Sequence, residues 1–139
     1  MSLCRELARR VEAFRAEDLD DAVFAAAKTA LIDTLGVTLL GSVEESARIV
    51  RALPGSCEAP GAASVCGTDL RTSALDAAMV NGVSSHALDF DDFTEDFGGH
   101  PSVPLLPALL AQGEVAGATW REVAAAYAVG VELETRLAH

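Results

Sequence analysis

Ala22-Val23-Phe24-Ala25-Ala26-Ala27-Lys28-Thr29-Ala30-Leu31-Ile32-Asp33-Thr34-Leu35-Gly36-Val37-Thr38-Leu39-Leu40 decides the fold class. Val23, Phe24, Ala27, Leu31, Leu35 and Leu39 recur at helical intervals, and no alternation of period two runs through the stretch. Lys28 and Asp33 interrupt it, so it reads as a buried helix rather than a membrane span. Upstream, Glu17-Asp18-Leu19-Asp20-Asp21 is an acidic break that puts negative charge at the positive end of the helix dipole. Downstream, Gly41 suits a left-handed cap.

The same spacing extends in both directions. Leu3, Leu7, Val11 and Phe14 predict a first amphipathic helix, and Ser42-Val43-Glu44-Glu45 reads as a capping box opening a short helix to about Leu53. Residues 54–67 are rich in Pro, Gly and Ala, with one extended piece near Ala63 to Cys66 and no second strand to pair it. Ser73-x-x-Asp76 restarts helix through Ala77, Val80, Val83 and Ala87. Pro101, Pro104 and Pro107 mark the start of the next helix, which carries Leu105, Leu106, Leu109 and Leu110 and closes at Gly113 and Gly117. Thr119-Trp120-Arg121-Glu122 is a second capping box. It opens a last helix running to the final residue, with Val123, Tyr127, Val131 and Leu137 facing inward. The expectation is an all-α helical bundle of about six helices in one domain, residues 1–139, with the Ala22–Leu40 and Ser73–Leu88 helices central and largely buried. The last helix meets no glycine or proline stop, so the chain reads as cut.

Composition narrows the function. Of 139 residues half are hydrophobic but only 5% aromatic, so the core must be Ala, Leu and Val. The formal charge is −11, from 21 acids against 10 bases, and Lys28 is the one lysine. No basic stripe exists to neutralise phosphates, which argues against nucleic acid and against anionic membrane surfaces. Cys4, Cys57 and Cys66 are odd in number and lack zinc-ribbon or redox spacing, as expected of packed thiols in a reduced compartment. With no apolar signal core at the N-terminus, the expected localisation is cytoplasmic.

Between His86 and Pro101 lies the densest group of titratable side chains, His86-Ala87-Leu88-Asp89-Phe90-Asp91-Asp92-Phe93-Thr94-Glu95-Asp96-Phe97-Gly98-Gly99-His100-Pro101. At a spacing of three, His86 and Asp89 would share a helix face. Acids where a helix ends oppose its dipole, which points to function or to a cation. Three readings stay open on these residues: a solvated acidic loop, a divalent-cation site, and metal-free acid–base chemistry. For the last, His100 follows two glycines, and neighbouring carboxylates could orient it and raise its basicity. Phe90, Phe93 and Phe97 should hold the loop against protein. An EF-hand is excluded, since counting from Asp89 the glycine position is Thr94.

Ala77-Ala78-Met79-Val80-Asn81-Gly82-Val83-Ser84-Ser85-His86-Ala87-Leu88-Asp89-Phe90-Asp91-Asp92, then His100-Pro101-Ser102 and Pro104-Leu105-Leu106-Pro107-Ala108-Leu109-Leu110-Ala111, resemble the MmgE/PrpD family. So do Ala30-Leu31-Ile32-Asp33-Thr34-Leu35-Gly36-Val37 and Gly130-Val131-Glu132-Leu133-Glu134-Thr135-Arg136-Leu137. The resemblance implies the N-terminal part of a helical domain that forms a homodimer interface, with a smaller α/β lid domain absent from these residues. It implies a lyase needing no metal and no cofactor, with small di- and tricarboxylates as substrates. The first expectation is a 2-methylcitrate dehydratase of propionate catabolism. Cis-aconitate decarboxylase, iminodisuccinate epimerase and a non-catalytic assembly fragment are the alternatives. Carried onto this sequence, Asp89 and His100 match active-site positions, with Thr94 or Phe93 at a third. His100 would be the acid–base group, Asp89 would orient it or the substrate, and Thr94 would bond a substrate carboxylate. His86, Asp91 and Asp92 would line the substrate site. The family's catalytic lysines have no counterpart here, and one lysine in a chain of charge −11 cannot hold a trianion.

Overall fold

The structure, a computed structural model, describes residues 2–53, 55–96 and 98–138. It has six helices: α1 (Leu3–Ala13), α2 (Asp21–Gly41), α3 (Glu45–Arg51), α4 (Ala74–His86), α5 (Leu106–Ala116) and α6 (Trp120–Leu137). A two-stranded antiparallel sheet pairs β1 (Ala63–Ser64) with β2 (Arg71–Thr72). The all-α expectation holds, with this small sheet as an addition.

Local chemistry explains the helix starts. Asp20 caps α2 by accepting from Ala22 N, and Ser73 caps α4 by accepting from Asp76 N while its hydroxyl donates to the Asp76 carboxylate. Thr119 and Glu122 complete the capping box of α6, where such a cap contributes about 1 kcal/mol. Gly117 ends α5 in the left-handed conformation at φ 66°. Gly113 is not a stop; it lies within α5, where an added Cβ would come 3.1 Å from a Val123 methyl.

Other expectations change. The box at Ser42 does not form: α3 starts at Glu45 after Glu44, and the Ser42 hydroxyl donates to Leu39 O. Gly41 is the last helical residue of α2 rather than a left-handed cap. A Cβ there would lie 2.0 Å from Ser84 O, so glycine permits the close crossing of α2 over α4. The expected extended piece near Ala63 is strand β1, but it does have a partner: β2 is two residues long and the support of the pair is remote, so no local signal marks it. Glu114 accepts from Ser64 N and Oγ, while Asn81 donates to Ser64 O and accepts from Cys66 N.

Helix α4 is central, with Ala77, Val80, Asn81, Ser84 and Ser85 buried, and it packs on α2, α3 and α5. The expectation fails for α2, which buries only Ala27, Thr34, Thr38 and Gly41. Its inner face is the threonine face, with Thr38 Oγ1 2.7 Å from Ser85 Oγ across the crossing. Small hydroxyl side chains allow the close approach that leucines would block. Val23, Ile32, Leu39 and Leu40 are therefore exposed, although α2 has the length and composition of a membrane span.

Two core clusters result. Leu19, Ala27, Leu106, Ala124, Ala125 and Tyr127 form one, with Phe24 and Trp120 at its edge. Ala63, Val65, Ala77, Val80 and Ala111 form the other, between α4, α5 and β1. Helix α1 buries no residue, and a groove of about 610 Å³ separates it from α6. Leu137 at the end of α6 is exposed, against expectation, as is the free thiol of Cys4.

Candidate functional site

Helix α4 ends at His86, and the chain turns at Asp89, which takes φ +55°. Non-glycine residues are uncommon there, though aspartate tolerates the conformation better than most. The turn removes Asp89 from the helix face that the three-residue spacing assigned to it. Residues 91–96 and 98–102 then form the two sides of an irregular hairpin. Thr94 and Gly99 pair across it, with Thr94 N donating to Gly99 O at 2.9 Å.

That fold-back brings His100 to His86, with ring centroids 4.9 Å apart and edge to face. Asp91 stands between them. Its Oδ1 is 3.0 Å from His86 Nδ1 and its Oδ2 is 3.0 Å from His100 Nδ1, and its side chain is 1% exposed. A carboxylate and a carbonyl only accept, so Nδ1 is the donor on each ring: His86 donates to the Asp91 carboxylate and His100 to Asp91 O, with Oδ2 in ion-pair range, and in a neutral ring Nε2 carries the lone pair. Asp91 O lies 3.3 Å from His100 Nδ1. On the opposite side of the His100 ring, Nε2 lies 3.5 Å from Oδ1 of the exposed Asp89 carboxylate. One ligand-capable atom from each of His86, Asp89, Asp91 and His100 lies within 4.8 Å of the others. Two imidazoles and two carboxylates could hold a divalent cation; the same four groups can also move a proton.

Of the sequence-selected residues, His86, Asp89, Asp91 and His100 converge. Asp92 and Thr94 have local partners. Asp92 accepts from Ser102 N at 3.2 Å and from Ser102 Oγ at 2.5 Å, while Thr94 Oγ1 accepts from Asp96 N at 3.2 Å within the hairpin tip. Phe90 and Phe93 are 67% and 61% exposed and do not hold the loop against the core as expected; Phe97 lies outside the described residues. Phe93 does set its edge against His100, with centroids 5.7 Å apart.

Ser102 and Tyr127 went unselected by sequence. Ser102 is fully buried and lies 2.8 Å from the Tyr127 hydroxyl on α6. Burial is the main cause that raises the Tyr127 phenol above its ordinary value, with the nearby Asp92 and Glu134 adding to it. The Glu134 carboxyl is raised as well, by burial first and then by Asp92, and its Oε2 is buried without a partner. Among the described residues, the ion pairs of Asp89 and Asp91 are with histidine alone, and no lysine or arginine reaches the hairpin carboxylates.

The MmgE/PrpD N-terminal domain matches residues 5–139. The chain belongs to the MmgE/PrpD family. Among curated members, human cis-aconitate decarboxylase is 32% identical over 99% of this chain and mouse cis-aconitate decarboxylase is 31% identical over the same share. The chain spans about 30% of the length of these relatives. The family blocks of the sequence fall on α2, α4, α5 and α6, and the block from Ala77 to Asp92 includes both His86 and the buried Asp91.

Proposed function

We propose that these residues form the acid–base half of a lyase site acting on small di- or tricarboxylates. The observation that carries the reading is the buried Asp91 carboxylate at 3.0 Å from Nδ1 of both histidines. It sets the tautomer and aims each Nε2 outward, as a carboxylate does for a histidine that works as base and then as acid. In the dehydratase form, His100 Nε2 takes a proton from the carbon α to a substrate carboxylate. His100 then passes that proton to the β-hydroxyl, which leaves as water, and an alkene remains. Asp89, at the same nitrogen, holds the proton in place once His100 is charged.

Decarboxylation is the second reading, favoured by the names of the two relatives. Carbon dioxide leaves, the electron pair delocalises toward a neighbouring carboxylate, and protonated His100 delivers its proton to carbon. Epimerisation would need removal of the proton by His100 and delivery of a proton to the opposite face of the same carbon by a second acid. All three build negative charge on a substrate already anionic. Fixed cations must stabilise that charge, and such stabilisation is commonly the largest catalytic term. Among the described residues no lysine or arginine reaches the hairpin carboxylates, and we propose that the cations come from groups outside the hairpin. Exposed Leu3, Ile32, Leu39, Leu40 and Leu75 support assembly, and a homodimer is the state we propose. A purely structural helical fragment differs in having no turnover.

The test is product analysis of the protein in its full encoded length on 2-methylcitrate, citrate and cis-aconitate. Release of water from the first, or of carbon dioxide from the last, abolished in His100→Ala, supports the reading and separates its two forms. Absence of turnover on all three would leave the assembly role.

A further inference from the structure

A chain of two buried hydroxyls leads from the helical core to Asp92, the residue next to Asp91 in the chain. Its directions follow from donor inventory. Asp92 can only accept, so the single hydroxyl proton of Ser102 is committed to Asp92 Oδ2 at 2.5 Å. The Tyr127 hydroxyl, 2.8 Å from Ser102 Oγ, must then be the donor of that pair. Ser102 N holds the other carboxylate oxygen of Asp92 at 3.2 Å, and Ser102 O accepts from Leu106 N at 2.8 Å where α5 begins. Ser102 is fully buried and Tyr127 is 8% exposed, inside the cluster formed with Leu106, Ala124 and Ala125.

We propose that Ser102 and Tyr127 are positioning residues that hold Asp91 against His100 by clamping the adjoining Asp92. The proposal rests on the acid–base reading of His100. Asp92 follows Asp91 directly, and Ser102 lies two residues after His100. One serine therefore cross-links the two arms of the hairpin that carry the orienting carboxylate and the imidazole. Tyr127 ties that serine to α6, a capped helix of 18 residues. The other anchors of the hairpin are the bond of Asp91 to His86 at the end of α4 and the buried Pro101, while Phe90 and Phe93 are exposed. Loss of the tyrosine hydroxyl leaves Ser102 Oγ without a donor in a buried site. The arms can then shift relative to each other, and misplacement by about 1 Å can cost about 10²-fold in rate.

The test uses Tyr127→Phe, which preserves the ring, and Ser102→Ala, each measured in two ways. In the 139-residue chain, histidine ¹⁵N spectra report the tautomer. Wild-type His100 should show a protonated Nδ1 and a lone-pair Nε2, and both variants should show mixed tautomers. In the protein of full encoded length, kcat should fall about 10-fold in Tyr127→Phe with KM within about 2-fold, the split expected of lost positioning. Unchanged His100 spectra in a Tyr127→Phe protein of lower Tm would reduce the hydroxyl chain to a stabilising contact and overturn the proposal. If the wild-type protein shows no turnover, the lyase reading fails while the spectra still decide whether the clamp exists.

Discussion

Asp91 stands against His100 twice over: its backbone O accepts from Nδ1 at 3.3 Å, and its carboxylate, 1% exposed, lies 3.0 Å from the same nitrogen. The same carboxylate reaches His86. A buried anion between two imidazoles defines their tautomers, and its removal has separable consequences for stability and for proton transfer.

Asp91→Asn should lower kcat by about 10²–10⁴-fold, because the carboxamide presents a donor toward one ring and forces its tautomer to change. Asp91→Ala should also destabilise the chain by about 1–3 kcal/mol through the polar groups left without partners. Steady-state kinetics and urea unfolding measure the two effects.

The glycines of α2 should respond oppositely to alanine. Gly41→Ala drives a methyl into the backbone of Ser84 and should cost about 1–3 kcal/mol. Gly36 is an exposed helical glycine with nothing within 4 Å of an added Cβ, so Gly36→Ala should stabilise by about 0.5–1 kcal/mol. Parallel urea titrations of the two variants check the sign of each.

Glu134 carries a pH prediction. Its carboxyl is raised above the ordinary value of 4.5, so the folded chain binds its proton more tightly than the unfolded chain. Stability from this group is complete below about pH 4.5 and is lost as pH rises through the folded value. Glu134→Gln should therefore raise Tm at pH 7, with the difference shrinking as pH falls toward 4.5. Thermal melts of both proteins across that range test it; an equal difference at every pH contradicts it.

The fold was legible where signals are local. Thr119 with Glu122 and Ser73 with Asp76 mark helix starts within four residues, and both caps form. The inner face of α2 was not legible, because its apolar stripe is its better hydrophobic signal. What selected Thr34 and Thr38 was the small, hydroxylated surface of α4, forty-seven residues on from Thr38 at Ser85. Of the strand pair, the piece at Ala63 was legible and its partner at Arg71–Thr72 was not, because the supports, Asn81 and Glu114, come from distant helices. At the site, the sequence brought forward the histidines and acids because they are adjacent in the chain. Ser102 and Tyr127 are twenty-five residues apart, and two hydroxyls at that distance leave no pattern to read.

The 139 residues by themselves should turn over slowly or not at all, since among the described residues no lysine or arginine reaches the hairpin carboxylates and one missing charge-stabilising donor costs about 10²–10³ in rate. Assays on cis-aconitate and 2-methylcitrate measure this, and turnover above about 1 s⁻¹ would place the necessary groups within these residues.

The central claim is that Asp91 and His100 act as one acid–base unit, and a double-mutant cycle on kcat tests it most directly. In the protein of full encoded length, His100→Ala and Asp91→Asn are measured singly and together. The double variant should be no slower than His100→Ala alone, because Asp91 works through the ring that is already gone. Multiplication of the two separate losses, or full activity in His100→Ala, would contradict it.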